Sequence, residues 1–210
     1  PSNLEISGVI RTTLPARSIA VAGSTAFVVG GDGLGLHKGM EIHNIENLSS
    51  PRLLGSIGTA SAASGIAVND SIAYVSSEMD GLYIIDIRDF NKPRILTHYM
   101  GVMPAEYAIA MRNMNLFIAG WGGLYIIDVS NPLAPKDIAS VPFAPDSGTT
   151  SIALGDHTAY VGSSNNLAVI DISTIDAPKL LTIFDVGWWV NDLAATDELV
   201  FVAAEYGGLI

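Results

Sequence analysis

The chain of 210 residues has no cysteine, few basic residues and no long apolar run, and each absence excludes a class of protein. Without cysteine there are no disulfides and no thiolate metal sites, although this leaves the compartment open. Ten Lys and Arg residues stand against 21 Asp and Glu residues, a formal net charge of −11. That balance repels phosphate groups, so we expect neither nucleic acid nor an anionic membrane as a partner. No apolar run approaches the roughly 20 residues of a membrane helix, so no membrane insertion is expected.

The residues that are present indicate a folded, acidic protein with a sizeable core. Nearly half are apolar and only 15% are charged, which excludes a disordered chain. At this length a single domain is the default for an all-β protein.

One phrase recurs along the chain. It reads Gly-Leu-Tyr-Ile-Ile-Asp-Val-Ser-Asn-Pro at Gly123–Pro132. Close copies stand at Gly81–Ile87 and Asn166–Ile172, a weaker copy stands at Gly39–Ile45, and a fifth begins at Gly208. Each copy predicts a strand that follows a glycine turn and ends in an Asp-led turn.

A second phrase, an Ile-Ala-Val strand followed by a polar turn and another strand, recurs in phase with the first. Its apolar anchors lie about 41 to 47 residues apart, at Ile19, Ile66, Ile109, Ile152 and Leu193. A period in that range is typical of four-stranded propeller blades. A single unit does not bury its own apolar face, so the units must stack.

The sequence therefore predicts an all-β fold, a β-propeller of four-stranded antiparallel blades in one domain over residues 1–210. About five blades are expected, four of them complete and one split between the termini. The repeats fall at approximately 14–59, 60–102, 103–145, 146–187 and 188–210, with an N-terminal strand at 4–12. Such a chain either closes a ring, with this strand beside the last unit, or is a segment of a larger propeller.

Two residue types recur once per unit, and we interpret both as structural. An aromatic in the second strand packs between neighbouring blades, at Phe27, Tyr74, Phe117, Tyr160 and Phe201. A carboxylate or amide after the third strand accepts backbone N–H bonds across a turn, at Asn44, Asp86, Asp128 and Asp171. Because these acidic residues are spread over separate blades, they do not predict a catalytic or metal site.

Two pairs of phrases resemble the LVIVD-repeat family of bacterial and archaeal β-propeller proteins. The first pair is Ser71–Ser76 with Gly81–Ile87, and the second is Leu116–Ala119 with Gly123–Pro132. The resemblance covers essentially the whole chain and implies the propeller fold. It carries no catalytic motif, and it implies an exported protein: extracellular, on the cell surface or periplasmic.

The residues before each first strand differ most between units, and in propellers such variation marks the mouth of the central channel. We expect seven candidate binding residues to converge there: Arg17, Glu106, Tyr107, Trp188, Trp189, Asn191 and Asp192. The two tryptophans either fill gaps between blades or form an aromatic platform for a sugar or a peptide side chain.

A second candidate site is the loop between the second and third strands of each unit. Met79, Trp121 and Tyr206 recur there as apolar residues with an exposed character. They belong either to ordinary solvated loops or to a protein-docking rim.

We expect no catalysis and no cofactor. The four histidines, His37, His43, His98 and His157, show no metal spacing, although His37 and His43 lie close enough in sequence for a two-histidine site. The favoured function is a scaffold that binds a protein or a glycan of unknown identity. The alternatives are a glycosidase-like propeller that uses Glu106 and Asp192, and self-association by strand exchange through the incomplete terminal blade.

Overall fold

In the computed structural model, residues 5–32, 37–101, 108–143, 148–196 and 198–210 are described, and they contain 19 strands and no helix. Accordingly, none of these residues belongs to a helix long and apolar enough to cross a membrane. The strands form five blades. Blade 1 contains β1 Ala16–Ala22, β2 Thr25–Gly31, β3 Lys38–Asn44 and β4 Arg52–Gly58. Blade 2 contains β5 Ala63–Asn69, β6 Ile72–Ser77, β7 Gly81–Asp86 and β8 Arg94–Tyr99. Blade 3 contains β9 Ala108–Arg112, β10 Asn115–Gly120, β11 Gly123–Asp128 and β12 Lys136–Pro142. Blade 4 contains β13 Thr149–Leu154, β14 Thr158–Ser163, β15 Asn166–Asp171 and β16 Lys179–Asp185. Blade 5 contains β17 Val190–Ala195, β18 Val200–Ala204 and β19 Gly208–Leu209.

Each blade is an antiparallel sheet whose strands pair in chain order. Four sheets have four strands, and the fifth has three among the described residues. The first strands of consecutive blades pack against one another, so the blades stand in a ring with β1, β5, β9, β13 and β17 innermost. The all-β, five-blade propeller expected from the sequence is confirmed.

The hydrophobic core lies between consecutive blades. Buried side chains of blade 1 pack on those of blade 2, and the same holds for blades 2 and 3, 3 and 4, and 4 and 5. The recurring aromatic belongs to this core, since Phe27, Tyr74 and Phe117 are almost completely buried. Burial of apolar surface that no single sheet can cover therefore holds the blades together.

Glycine is required where the third strand begins. Gly39, Gly81 and Gly123 have φ values of 131°, 76° and 145°, a region that disfavours any residue with a Cβ. A Cβ at each of them would also collide with a backbone carbonyl of the facing fourth strand. This double constraint explains why the repeated phrase opens with glycine.

The turn after each third strand is closed by the recurring carboxylate or amide. The side-chain oxygens of Asn44, Asp86, Asp128 and Asp171 accept the backbone N–H two residues later at 2.8 to 3.0 Å. Hydrogen bonds from the side chain and then the backbone of Arg88 lower the pKa of Asp86 to about 2. The structural interpretation of these residues is confirmed.

The N-terminal segment departs from the expectation. Residues 5–12 form no strand and do not complete blade 5. Ile10 and Thr12 lie beside β1 and Val28 of blade 1, and Gly8 lies against the carbonyl of Leu48. These contacts tie the segment to blade 1 instead.

The outer faces of the first and last blades are less covered than the faces between blades. Ile19 of β1 is 57% exposed, whereas Ile66 at the matching place in blade 2 is 7% exposed. Phe201 of β18 is 39% exposed, whereas Phe117 at the matching place in blade 3 is fully buried. Equivalent positions of the repeat are therefore more exposed in the first and fifth blades than in the blades between them.

Candidate functional site

The five innermost strands line one central cavity of about 450 Å³. Every blade contributes to it, and its polar lining groups include Arg17, Ser64, Thr150, Ser151, Asn191 and Asp192. A cavity of this size falls in the range of sites that bind small molecules or single side chains.

A β-bulge recurs at the same place in four inner strands. The register of β1, β5, β13 and β17 with its neighbour shifts across Arg17, Ser64, Thr150 and Asn191 respectively. Such a bulge leaves one residue out of the ladder and redirects its side chain. Tyr107 is the counterpart in blade 3 and lies outside the described residues. In blades 1, 2, 4 and 5 the same backbone irregularity thus presents a different side chain at the cavity.

The structure brings together part of the set predicted for the mouth. Arg17, Asn191 and Asp192 line the central cavity, whereas Glu106 and Tyr107 lie outside the described residues. The positions agree with the expectation, and the binding role of these residues stays a prediction.

Arg17 is already paired. Its guanidinium donates to the carboxylate of Glu78 in the β6–β7 loop and forms a salt bridge between blades 1 and 2. Because Glu78 precedes Met79, this contact places the predicted mouth and the predicted loop rim on one face of the propeller. Met79 and Trp121 are exposed on their loops, as expected from the sequence.

The tryptophan pair does not line the central cavity. Trp188 packs over Gly207 and meets the ring of Tyr206 edge to face, with centroids 5.9 Å apart. The backbone carbonyl of Trp189 accepts a hydrogen bond from Glu205 at 2.9 Å. Both indoles remain about half exposed. Trp188 and Tyr206, which the sequence assigned to separate sites, therefore form one aromatic cluster on the loops of blade 5.

Sequence reasoning missed two buried hydroxyls in blade 4. Thr150 Oγ1 and Ser151 Oγ have no hydrogen-bond partner within the described part of the chain. They face Gly162 of β14, where an added Cβ would lie 3.1 and 3.0 Å from these oxygens. The corresponding residue of blade 2 is Ser76, which contacts Ser64 Oγ at 3.2 Å. The sequence feature that could have revealed these hydroxyls is Gly162 in the middle of β14, because a glycine inside a strand often marks a place where other groups approach the backbone closely.

Asp192 is the carboxylate that the described residues contribute to the cavity lining. Its Oδ1 accepts the backbone N–H of Leu193 at 2.9 Å. Its suggested partner Glu106 lies outside the described residues.

Blade 1 contains a buried ionisable pair away from the mouth. His43 Nε2 lies 2.9 Å from Glu41 Oε2, and Thr13 donates its backbone N–H to Glu41 Oε1 at 2.9 Å. Burial raises the pKa of Glu41, but hydrogen bonds from Thr13 and His43 outweigh it, so the pKa lies below its usual value. His43 thus pairs with a carboxylate, while His37 is exposed. No cluster of three metal-ligating residues occurs among the described residues.

Comparison with solved structures shows the same fold at low sequence identity. A functionally unknown protein from Desulfotomaculum acetoxidans DSM 771 superposes with a TM-score of 0.75 at 13% identity, over 91% of this chain and 66% of that one. The β-propeller domain of Myceliophteria thermophila Cps50 (Swd1) gives 0.74 at 10% identity, over 95% and 70%. PorZ, a bacterial surface component of the type-IX secretion system of Porphyromonas gingivalis, gives 0.59 at 13%, over 91% and 24%. The chain thus spans about two thirds of the first two proteins and a quarter of the third.

A comparison with curated proteins gave no match. A protein-family match does exist, to the LVIVD repeat over residues 60–100, 113–141 and 148–186. These segments make up slightly more than half of the chain and coincide with the second, third and fourth blades. The chain therefore belongs to the LVIVD repeat family.

Proposed function

We propose that this propeller is a non-catalytic binding scaffold that holds a protein or glycan ligand at the mouth of its central cavity. The observation that carries the proposal is the repeated bulge, which directs Arg17, Ser64, Thr150 and Asn191 toward one cavity from four blades. A fold that keeps its backbone constant while varying these side chains has the properties of a recognition surface.

The described part of the cavity lining supports binding rather than hydrolysis. A glycosidase needs two carboxyl groups facing each other across the substrate. Asp192 lines the cavity, whereas the nearby Glu78 is held in a salt bridge by Arg17. The chemistry available at the described mouth is therefore hydrogen bonding by hydroxyl, amide and carboxylate groups.

We also propose that the protein works outside the cytoplasm, on the cell surface or in the periplasm. The support is the resemblance of its repeats to exported propellers, together with a fold shared with PorZ, itself a bacterial surface component. Measuring the protein in cell fractions of its host, with and without protease treatment of intact cells, tests this. Recovery exclusively in the cytoplasmic fraction would contradict it.

The binding role is tested by screening the whole chain against a glycan array and a random peptide library, with two variants in parallel. Asn191→Arg places a bulky cation at an exposed bulge position of the mouth. His157→Arg makes a comparable change at an exposed position in the β13–β14 hairpin, at the far end of an inner strand. We expect ligands of the wild type to bind the His157 variant and to be lost from the Asn191 variant. Retention by both variants, or an absence of any ligand, would refute the proposal.

A further inference from the structure

We propose that the ligand of the mouth is a neutral saccharide, bound through the wall that blades 4 and 5 form; this rests on the binding role proposed above. The first support is a pair of hydroxyls, Thr150 Oγ1 and Ser151 Oγ, that line the cavity and have no hydrogen-bond partner in the part of the chain that the structure describes. Ser151 is only 6% exposed. Buried hydroxyls normally have a partner, and a pair without one marks a place where a ligand or an ordered water completes the bonding.

A comparison with blade 2 shows how blade 4 differs. In blade 2 the hydroxyl of Ser64 contacts that of Ser76 on the neighbouring strand at 3.2 Å. Blade 4 has Gly162 at the place of Ser76 in the strand pairing. The glycine removes the internal partner of the two hydroxyls, and Val190 of blade 5 packs against it, with Cγ1 2.6 Å from the position that a Cβ would take.

Blade 5 adds complementary groups to the same cavity. Asn191 offers an amide that both donates and accepts, and Asp192 offers a carboxylate that accepts. Hydroxyls, an amide and a carboxylate together match a ligand that carries several adjacent hydroxyl groups, because each sugar hydroxyl donates and accepts at once. This is the hydrogen-bonding pattern of a saccharide.

The electrostatics favour a neutral saccharide over an acidic one. Arg17, a cation at the cavity, is neutralised by its salt bridge to Glu78. Asp192 places a carboxylate on the lining, and the whole chain has a formal net charge of −11. An anionic sugar would meet repulsion from both the local and the overall charge.

The test measures ligand-observed NMR of the full chain with glucose, galactose, mannose and N-acetylglucosamine, and with glucuronic acid as the anionic probe. We expect at least one neutral sugar to bind and glucuronic acid not to bind. Ser151→Ala is the decisive variant because it removes a hydroxyl that has no partner among the described residues. It should weaken sugar binding by about three- to tenfold, the effect of one lost hydrogen bond, without lowering the thermal unfolding midpoint.

Ser77→Ala is the matched control, since it removes a buried serine hydroxyl that is bonded to Ser61 Oγ at 2.7 Å, and Ser77 does not line the cavity. It should lower the unfolding midpoint slightly and leave sugar affinity within about twofold. A Ser151 variant that unfolds at lower temperature without losing sugar affinity would assign the hydroxyl to a structural water and overturn the inference.

The two proposals fail in different ways. Peptide binding that the Asn191→Arg change abolishes, with no neutral sugar bound, would refute the saccharide and leave the binding scaffold standing. Equal binding of glucuronic acid and neutral sugars would refute the argument from charge. If neither a peptide nor a sugar binds at the mouth, both proposals are refuted.

Discussion

Two phenylalanines at the same place in different repeats offer a direct test of how the blades are held together. Phe117 of blade 3 is fully buried and packs with Ala159, Val161 and Ile170 of blade 4. Phe201 of blade 5 stands at the matching place in β18 and is 39% exposed. Each residue lies in the second strand of its blade, so Phe→Ala makes the same chemical change in two environments.

The expected costs differ because burial differs. Phe117→Ala removes a buried ring and leaves a cavity between two blades, which costs about 3–5 kcal/mol of unfolding free energy. Phe201→Ala removes a ring that already contacts solvent and opens no closed cavity. With about 25 cal/mol per Å² of apolar surface, its loss should cost roughly 1–2 kcal/mol.

Urea unfolding followed by far-ultraviolet circular dichroism measures both variants against the wild type. We expect the midpoint to fall substantially for Phe117→Ala and slightly for Phe201→Ala, with similar slopes. An equally large loss for the two variants would refute the reasoning. It would mean that the outer face of blade 5 is covered in solution as fully as the faces between the inner blades.

Three further changes test other parts of the account. Asp86→Asn keeps an acceptor for the Arg88 amide but loses the ion pair that holds the pKa of Asp86 at about 2. Because the folded pKa lies below the unfolded one, the stabilisation is complete above about pH 4. This stabilisation is lost as the pH falls toward 2, so the free energy of unfolding of the Asp86→Asn variant should fall less steeply than that of the wild type between pH 4 and pH 2. The same pH dependence of stability in the variant and the wild type would contradict this. Glu41→Ala leaves buried partners, among them the Thr13 amide, without an acceptor and should cost about 3 kcal/mol in urea unfolding; a loss below about 1 kcal/mol would show that the site is hydrated. Gly123→Ala should lower the melting temperature markedly, because its φ of 145° and the facing carbonyl both exclude a Cβ; wild-type melting would contradict the geometry.

The fold was largely predictable because its rules are local and repeated. The glycine before each third strand, the Asp after it and the aromatic in the second strand each act within one or two neighbouring strands. Agreement among copies then separates the pattern from chance. Asp128, for example, accepts the amide of Ser130, two residues along the chain, so its role depends on no distant contact.

The features that the sequence did not reveal depend on contacts between distant segments. Glu41 occupies a strand position that is Tyr83 in blade 2, and its acceptor role depends on Thr13, 28 residues away. In blade 2 the hydroxyl of Tyr83 accepts a hydrogen bond from the backbone N–H of Ala60. Glu41 therefore has the same acceptor role in blade 1 that Tyr83 has in blade 2. The N-terminal segment also resembles a fourth strand locally, but a strand requires a partner edge, and a local pattern does not indicate that the segment lies against blade 1.

The candidate site was predicted in position and only partly in composition. Variation before each inner strand correctly indicated where Arg17, Asn191 and Asp192 lie. It did not indicate the direction of Trp188, which packs on its own blade beside Tyr206 because Gly207 leaves room for the indole. Orientation within an exposed loop follows from packing, which a repeat alignment does not contain.

The convergence of the bulged residues on one mouth is tested most directly by cross-linking, since a chain without cysteine allows two unique thiols to be introduced. Ser64→Cys with Asn191→Cys places the thiols on blades 2 and 5 at the same cavity, and Ser64→Cys with Ser173→Cys places the second thiol at an outer turn. A short bis-maleimide should join the first pair within a single chain in high yield and leave the second pair unjoined, as read by intact-mass and peptide mass spectrometry. Equal yields for the two pairs, or cross-links that form only between chains, would contradict a shared mouth.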